Sequence, residues 1–377
     1  MFHKEADGKT VRPFCDLGRE HGRVSFLSLY VGGSALKQKK GVSYAKWGYI
    51  FALPFCIAYL IFMIYPIFYT LIIGFTNMKG LIPPPLDFVR DEAGNIQFFA
   101  NFKDVLADSM FRLNLKNTFL IWGMNFLPQI TLALALAVMF TNSRTKIRGK
   151  GFFKVVFYMP NIITAATIAM LFTSLFAYKM GPVNDLLKML GIIESNIDFS
   201  VSAVASRLIV AFIQFWMWYG YTMIILISGI LGISPELFEA ADIDGANGWQ
   251  KFLYVTLPNL KTIMLYTLVT SMIGGMQMFD IPFLYNSNGG DKRSIRTASI
   301  YIYQKAFSGS NWYNHAAAAS MIMFLIIAVL AAIIFFMLRD KDEIAQHKIE
   351  RAKEKEFKAE YKRVLKEQKE KAKGGAQ

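Results

Sequence analysis

The sequence predicts an all-α polytopic membrane protein with six transmembrane helices, and two observations carry that expectation. Of 377 residues 54% are hydrophobic, with 33 Phe and 19 Met, and only 18% are charged, a balance too apolar for a soluble domain. The charges are also segregated: the stretches 47–75, 117–140, 155–178, 208–233, 262–279 and 316–338 hold no Asp, Glu, Lys or Arg. Each is near the roughly 20 residues that cross a hydrocarbon core. A helix is the form in which one such segment satisfies its own backbone polar groups there. These features exclude a soluble enzyme.

The net charge of +14 follows from topology. With six spans both termini lie on one side, which carries 29 Lys and Arg against 12 on the other. The positive-inside bias places both termini in the cytoplasm. Residues 141–154 decide this most directly, as a short loop with five basic and no acidic residues. A nucleic-acid role for the tails ranks far behind, because the C-terminal tail interleaves 13 basic with nine acidic residues, as a solvated helix does.

Taken in order, residues 1–46 form a cytoplasmic tail whose Gly8, Pro13, Gly18, Gly22 and Gly32-Gly33 favour no fold. The first apolar run is too long for a signal h-region, so it reads as an uncleaved anchor. Cys15 in the tail and Cys56 in the first span are an implausible disulfide pair. The loop 76–116 contains the Pro83-Pro84-Pro85 turn and a short amphipathic helix around Phe102–Leu113. The loop 179–207 carries an apolar-periodic piece, Val183, Leu186, Leu187 and Leu190, after Gly181-Pro182. The loop 280–315 has a strong turn signal at Asn286-Ser287-Asn288-Gly289-Gly290. The spans are set at about 47–75, 117–140, 155–178, 208–233, 260–284 and 316–338, making 47–338 the membrane domain. The tail 339–377, charged and without Pro, is expected to be partly helical. His3, His21 and His347 fall in tails and His315 flanks a span, so no metal site is expected.

The loop 234–258, between the fourth and fifth spans, is the most informative. Ser234 suits an N-cap, Pro235 the first helical position, and Glu236 and Glu239 complement the positive helix end. Gly245 can end the helix in a left-handed conformation. Asn247 followed by Gln250 resembles a capping box opening a second short helix, which Pro258 is expected to end. Leu237, Ala240 and Ala241 share one face, where two alanines admit close approach of another backbone and Glu239 offers a carboxylate. By itself this pattern also fits a plain amphipathic surface helix.

At this spacing Glu239-Ala240-Ala241, Asp244-Gly245-Ala246 and Leu257-Pro258 resemble the "EAA" cytoplasmic loop of permease subunits in ATP-binding-cassette importers. Further matches are Asn117-Thr118, Phe152-Phe153, Met159-Pro160, Gly181 with Asn184, Gln277 to Asp280, Gly289-Gly290 and Ala316 to Ala319. Together they extend over 47–338 and resemble the maltose and multiple-sugar branch of carbohydrate uptake. Asp291 departs from that pattern, standing where Gly-Gly-Pro is usual. The long polar tail and the absence of a large external domain also depart from it.

The resemblance implies a binding-protein-dependent importer subunit in the cell membrane, not an enzyme, moving a carbohydrate, of oligosaccharide size, by alternating access. Its implied partners are a second permease, two cytoplasmic ATPase subunits, an external solute-binding protein and membrane lipid, with no nucleic acid. It needs no cofactor of its own: the chain has no Gly-x-x-x-x-Gly-Lys-Ser/Thr run, and ATP and Mg belong to the partner ATPases. Glu239, Ala240, Ala241, Asp244, Gly245, Leu257 and Pro258 would couple to the ATPase.

For the pathway, a fifth span entering near Leu260 puts Ser271 about 16 Å deep. Ser271, Gly274, Gly275 and Met278 then share a face that either lines a cavity or packs a helix closely. The aromatic run Phe215-Trp216-Met217-Trp218-Tyr219-Gly220-Tyr221 starts deeper than an interfacial belt sits. Its rings offer faces for sugar C–H groups, and Trp and Tyr add polar edges. The resemblance puts Tyr221 and Ser271 at sugar-contacting positions, with Trp216, Trp218 and Tyr219 behind them. Gln277 and Asp280 lie toward the end of span five, and Asn125 and Asn161 are polar groups inside spans two and three. A secondary transporter would place coupling carboxylates near the midplane, and none is there. A smaller solute such as glycerol 3-phosphate is the alternative cargo, but an anion favours a basic residue, and the spans have no interior Lys or Arg.

Overall fold

A computed structural model describes residues 45–80, 86–142, 147–309, 311–338 and 348–359. The N-terminal tail through residue 44, with Cys15, His3 and His21, lies outside the described residues. So do Pro83-Pro84-Pro85, part of the basic loop 141–154, and most of the C-terminal tail including His347. The chain divides into two units, Met1–Ile61 and Phe62–Gln377. The described part of the first is helix α1, Ala45–Tyr59, which contains Pro54, and the start of a π-helical turn, Leu60–Ile64. Its side chains from 46 to 61 are all exposed, as expected of an apolar surface that meets lipid or another helix rather than its own core.

The second unit is helical. After α2 (Tyr65–Ile73) a loop with two isolated antiparallel bridges leads to α3, Ala100–Ala107. Sequence periodicity continued this helix to Leu113, but Asp108 takes an extended conformation and starts α4, Ser109–Thr141, by accepting a hydrogen bond from the Met110 amide at 2.8 Å. Burial works against charge on Asp108. The Tyr301 hydroxyl, at 2.8 Å, the Met110 amide and Lys305 outweigh it and hold the carboxyl below the usual carboxylate range. Burial and that same hydrogen bond push the Tyr301 phenol up.

The third predicted span is corrected. Residues 155–178 do not form one straight crossing: α5 (Lys150–Ile162) and α6 (Ala165–Leu175) are bent by 91° at their junction. Ile163 and Thr164 are extended, and the Thr164 hydroxyl caps α6 by accepting from Thr167 N at 3.3 Å. Pro160, which lacks an N–H, already weakens the ladder one turn earlier. Among the described residues five helical segments are long and apolar enough to cross a membrane, Lys46–Ile73, Ser109–Thr141, Ala203–Leu231, Lys261–Tyr285 and Tyr313–Met337. The number becomes six if the bent pair is one crossing.

Helix α7, Pro182–Met189, is the apolar-periodic piece of the following loop. It is anchored by Asn184, whose buried amide donates to the carbonyl of Ile197 at 3.0 Å and accepts from the Ile197 amide at 2.9 Å. A β-carbon on the adjoining Gly181 would lie 2.3 Å from the Ala177 carbonyl oxygen. Helix α8, Ala203–Leu231, crosses α5 at Gly220, where a β-carbon would sit 2.0 Å from the Phe157 carbonyl oxygen. Only glycine permits that approach.

A loop containing α9 (Pro235–Ile243) and α10 (Gly248–Lys251) joins α8 to the next span. Pro258 does not end the second helix as its sequence suggested. The chain stays helical through a π turn, Phe252–Thr256, and α11, Leu257–Asn259, and breaks at Leu260. Pro258 leaves one hydrogen bond of the ladder unmade, and the π turn directly before it is where the helix loosens to admit the ring. Leu260 is fully buried and starts α12, Lys261–Met276, against Gly229 of α8. The fifth apolar segment is itself broken at 277–279 before α13, Asp280–Tyr285. Helices α14 (Ala298–Phe307) and α15 (Tyr313–Leu338) complete the unit. Ala318 and Ala319 are fully buried, beside Met272 and Met276, within one apolar cluster. Beyond α15, residues 348–359 are an exposed helix with a 2.5 Å Lys358–Glu354 ion pair.

Candidate functional site: a polar cavity between helices and a helix–turn–helix loop

A cavity of 430 Å³ opens among α4, α8, α12 and the broken turn after α12. Helix α4 contributes Trp122, Asn125 and Gln129, and α8 contributes Gln214, Met217, Trp218, Tyr221, Thr222 and Ile225. From α12 come Tyr266, Thr267, Thr270, Ser271, Gly274 and Gly275. Gln277, Met278, Phe279, Asp280 and Ile281 close one end. Seven of the nine pathway residues expected from sequence therefore meet here: Tyr221, Ser271, Trp218, Gly275, Gln277, Met278 and Asp280.

Trp216 and Tyr219 do not line it. They project from the other side of α8: Trp216 meets Phe172 edge-on at 5.7 Å, and Tyr219 is buried against Phe215 and Phe157. Helical geometry explains the split, since positions three apart share a face and the two pairs lie on different faces. Asn125 is on the cavity wall with its amide nitrogen tied to the Ile121 carbonyl, whereas Asn161 is absent from the lining.

Several lining residues are held by polar contacts. Gln129 Nε2 donates to Thr222 Oγ1 at 2.8 Å, which links α4 to α8. Trp122 Nε1 donates to Ser271 Oγ at 3.4 Å, and the indole lies against Gly275, where a β-carbon would be 2.1 Å from Trp122 Cδ1. Trp218 and Tyr221 meet edge-on at 5.9 Å. Trp122, Gln129, Tyr266 and Thr270 were not singled out from sequence. Their signal was the recurrence of polar and aromatic residues at helical spacing, Trp122-Asn125-Gln129 and Tyr266-Thr270, inside apolar runs. The wall combines aromatic faces with neutral hydrogen-bonding groups, and Asp280 is its one ionisable acid or base other than tyrosine among the described residues. Such a surface suits a hydroxyl-rich, uncharged ligand: apolar C–H faces stack on rings while amides and hydroxyls meet its polar edge.

The second candidate surface is the loop at the far end of α8. The Asn247 side chain accepts from the Gln250 amide at 2.9 Å while Gln250 Oε1 accepts from the Asn247 amide at 2.8 Å, a complete capping box. Gly245 has φ +74°, and Asp244 is the C-cap of α9. Ser234 occupies the N-cap position but makes no side-chain capping bond. Lys251 pairs with Asp242, tying α10 to α9. Glu239 and Ala240 are exposed, Ala241 is half-buried, Leu257 is half-buried and Pro258 is exposed. Ile243 is 87% and Trp249 67% exposed, so the loop presents large apolar side chains that its own chain does not cover, the anatomy of a docking surface. Between it and the ends of α4 and α8 lies a 460 Å³ hollow walled by Val138, Ile230, Phe238, Glu239 and Lys251, among others. Among the described residues no three His, Cys, Asp or Glu side chains gather as a metal site.

Residues 129–341 match the family model described as "binding-protein-dependent transport system inner membrane component". The chain is 31% identical over 295 residues to the lactose transport system permease protein LacF of Rhizobium radiobacter, covering 78% of this chain and 94% of that protein. It is 28% identical to the arabinooligosaccharides transport system permease protein AraP of Bacillus subtilis, covering 80% and 92%. A chain in the crystal structure of a bacterial alginate ABC transporter, in complex with an alginate pentasaccharide-bound periplasmic protein, shares the fold at a TM-score of 0.65 and 23% identity, covering 79% of this chain and 96% of that one.

Proposed function

The chain belongs to the family of binding-protein-dependent transport system inner membrane components, and we propose that within it this subunit forms half of a carbohydrate import pathway. Members of the family are membrane subunits of ATP-binding-cassette transporters, not enzymes, and the ATPase resides in separate subunits. In our reading a second permease supplies the other half of the pathway. Two cytoplasmic ATPases, which hold ATP and Mg, drive alternating access, and an external binding protein delivers the sugar. Both termini and the loop 234–258 face the cytoplasm, with 47–338 as the six-span membrane domain and the bent α5–α6 pair as one crossing.

The cavity is the observation that carries the proposal. It is built where the apolar segment Lys261–Tyr285 is interrupted, and freed backbone groups inside a membrane are tolerated where they face such a cavity. Its lining of Trp218, Tyr221, Ser271 and neutral amides fits an oligosaccharide better than a phosphate ester, for which it has no cation among the described residues. The names of relatives that move lactose and arabinooligosaccharides support the same class of cargo.

The test is assembly with candidate ATPase and binding-protein partners, followed by a search for the sugar-loaded binding protein that stimulates ATP hydrolysis and uptake. Assembly with no ATPase would overturn the importer reading. In the assembled complex Trp218→Ala or Tyr221→Ala is expected to lower sugar uptake about tenfold or more, since a pocket contact contributes on the order of 1–3 kcal/mol. Trp216→Ala, on the opposite face, tests whether loss of uptake tracks the cavity wall. Equal losses from all three would indicate general packing damage.

A further inference from the structure

Taking the cavity as the transport pathway, as proposed above, we infer that residues 286–297 form a strained strap over its outer end, and that Asn117 and Arg207 are the latch that holds the strap shut. The strap follows α13 and returns to α14. Gly289 and Gly290 have φ of +88° and +70°, and Lys292 and Arg293 also occupy the left-handed region at +49° and +57°. Two consecutive side-chain-bearing residues there are unfavourable, and such strain persists only where surrounding contacts over-determine it.

Two helices supply those contacts. Asn117, fully buried on α4, donates through Nδ2 to the carbonyls of Arg293 at 2.9 Å and Arg296 at 3.1 Å. Arg207 of α8 donates through Nε to the Ser294 carbonyl at 3.1 Å and through Nη2 to Asn117 Oδ1 at 3.0 Å. Its charge makes these the stronger kind of hydrogen bond. The strap ends beside the cavity itself: the Thr297 hydroxyl donates to the carbonyl of Met278, a lining residue, at 2.8 Å.

Helical register sets the strap's position. Its tethers on α4 and α8 lie just outside the lining residues of the same helices. Thr118, which accepts from the Ala298 amide at 2.9 Å, is one turn, about 6 Å, from Trp122. Arg207 is two turns, about 10 Å, from Gln214. Within the strap, Ser294 Oγ and Arg296 Nε are buried without a hydrogen-bond partner among the described residues, which adds to its tension. Asn117 and Arg207 are thus positioning residues, acting on the pathway through the strap.

The test uses the full complex in proteoliposomes, in a Cys15→Ser, Cys56→Ser background carrying Ser271→Cys as a reporter. The rate at which a membrane-impermeant maleimide, added outside, labels the reporter is measured in the resting complex without binding protein. ATP hydrolysis without binding protein is measured in parallel. Asn117→Ala and Arg207→Ala are expected to raise labelling about tenfold and to make ATP hydrolysis less dependent on the binding protein. Arg207→Lys, which keeps the charge and loses the paired donors, is expected to fall between. Should Arg207→Ala not assemble, Asn117→Ala and Arg207→Lys decide the matter. Labelling and ATP hydrolysis within twofold of the parent in those assembled variants would overturn the latch. Failure of the pathway reading looks different: the complex with Ser271 unchanged would itself show no stimulation by any sugar-loaded binding protein.

Discussion

Glu239→Lys is expected to leave the protein inserted and its cavity intact while lowering ATP-driven uptake about a hundredfold. Glu239 is exposed on α9, in the loop that also exposes Ile243 and Trp249, so the substitution disturbs no packed core. Its effect falls on whatever docks there. Reversing a charge that a basic partner meets at an interface costs roughly 2–5 kcal/mol, enough for that loss. Gly245 gives an internal control because its two obvious substitutions should differ. No atom lies within 4 Å of a β-carbon built there, so only the backbone angle of +74° opposes a side chain. Asp adopts the left-handed region at modest cost, whereas a β-branched Val there is an outlier. Gly245→Asp should thus uncouple partially and Gly245→Val severely. Uptake and stimulated ATP hydrolysis, measured in complexes matched for membrane content, check this order. Normal uptake in both Glu239→Lys and Gly245→Val would remove the loop from the coupling path.

The fold was legible in sequence wherever one physical term dominated. Apolar runs free of charge mark helices that cross lipid, because no other term offsets the desolvation of a charge there. The capping box at Asn247 and Gln250 and the left-handed Gly245 are local events, decided by neighbouring residues, and both occur as written. The 91° bend at Ile163 and Thr164 left no comparable mark. Both residues are apolar or neutral, and an extended pair between helices is chosen by what the helices pack against. The same limit divided the aromatic run of α8. Composition placed four rings near a cavity, but Phe172, Phe157 and Phe215 on other turns and helices determine which two turn away from it. Asn117 and Thr118 were visible as a motif, yet their work, holding a loop some 175 residues away, is a tertiary fact.

Gly274→Ala and Gly275→Ala should differ sharply although the residues are adjacent, and this pair separates the two roles that a stripe of small residues can play. Both glycines line the cavity. A β-carbon at 274 meets nothing within 4 Å, whereas one at 275 would lie 2.1 Å from Cδ1 of Trp122 and 2.9 Å from its Nε1. Gly274→Ala therefore removes only a little cavity space, and it replaces glycine by the better helix former, which favours the helix by about 1 kcal/mol. Gly275→Ala must displace the indole. That breaks its hydrogen bond to Ser271, disturbs its stacking on Phe126 at 5.5 Å and pushes a large ring toward the cavity or against α4. Overpacking of this kind costs about 1–3 kcal/mol. Uptake is expected to fall at least tenfold in Gly275→Ala and to stay within about threefold of wild type in Gly274→Ala. Trp122→Phe in the Gly275→Ala background supplies the decisive step, since a smaller ring without the N–H relieves the clash. Partial recovery of uptake in that double variant, with no gain from Trp122→Phe alone, would assign the Gly275 defect to its contact with Trp122.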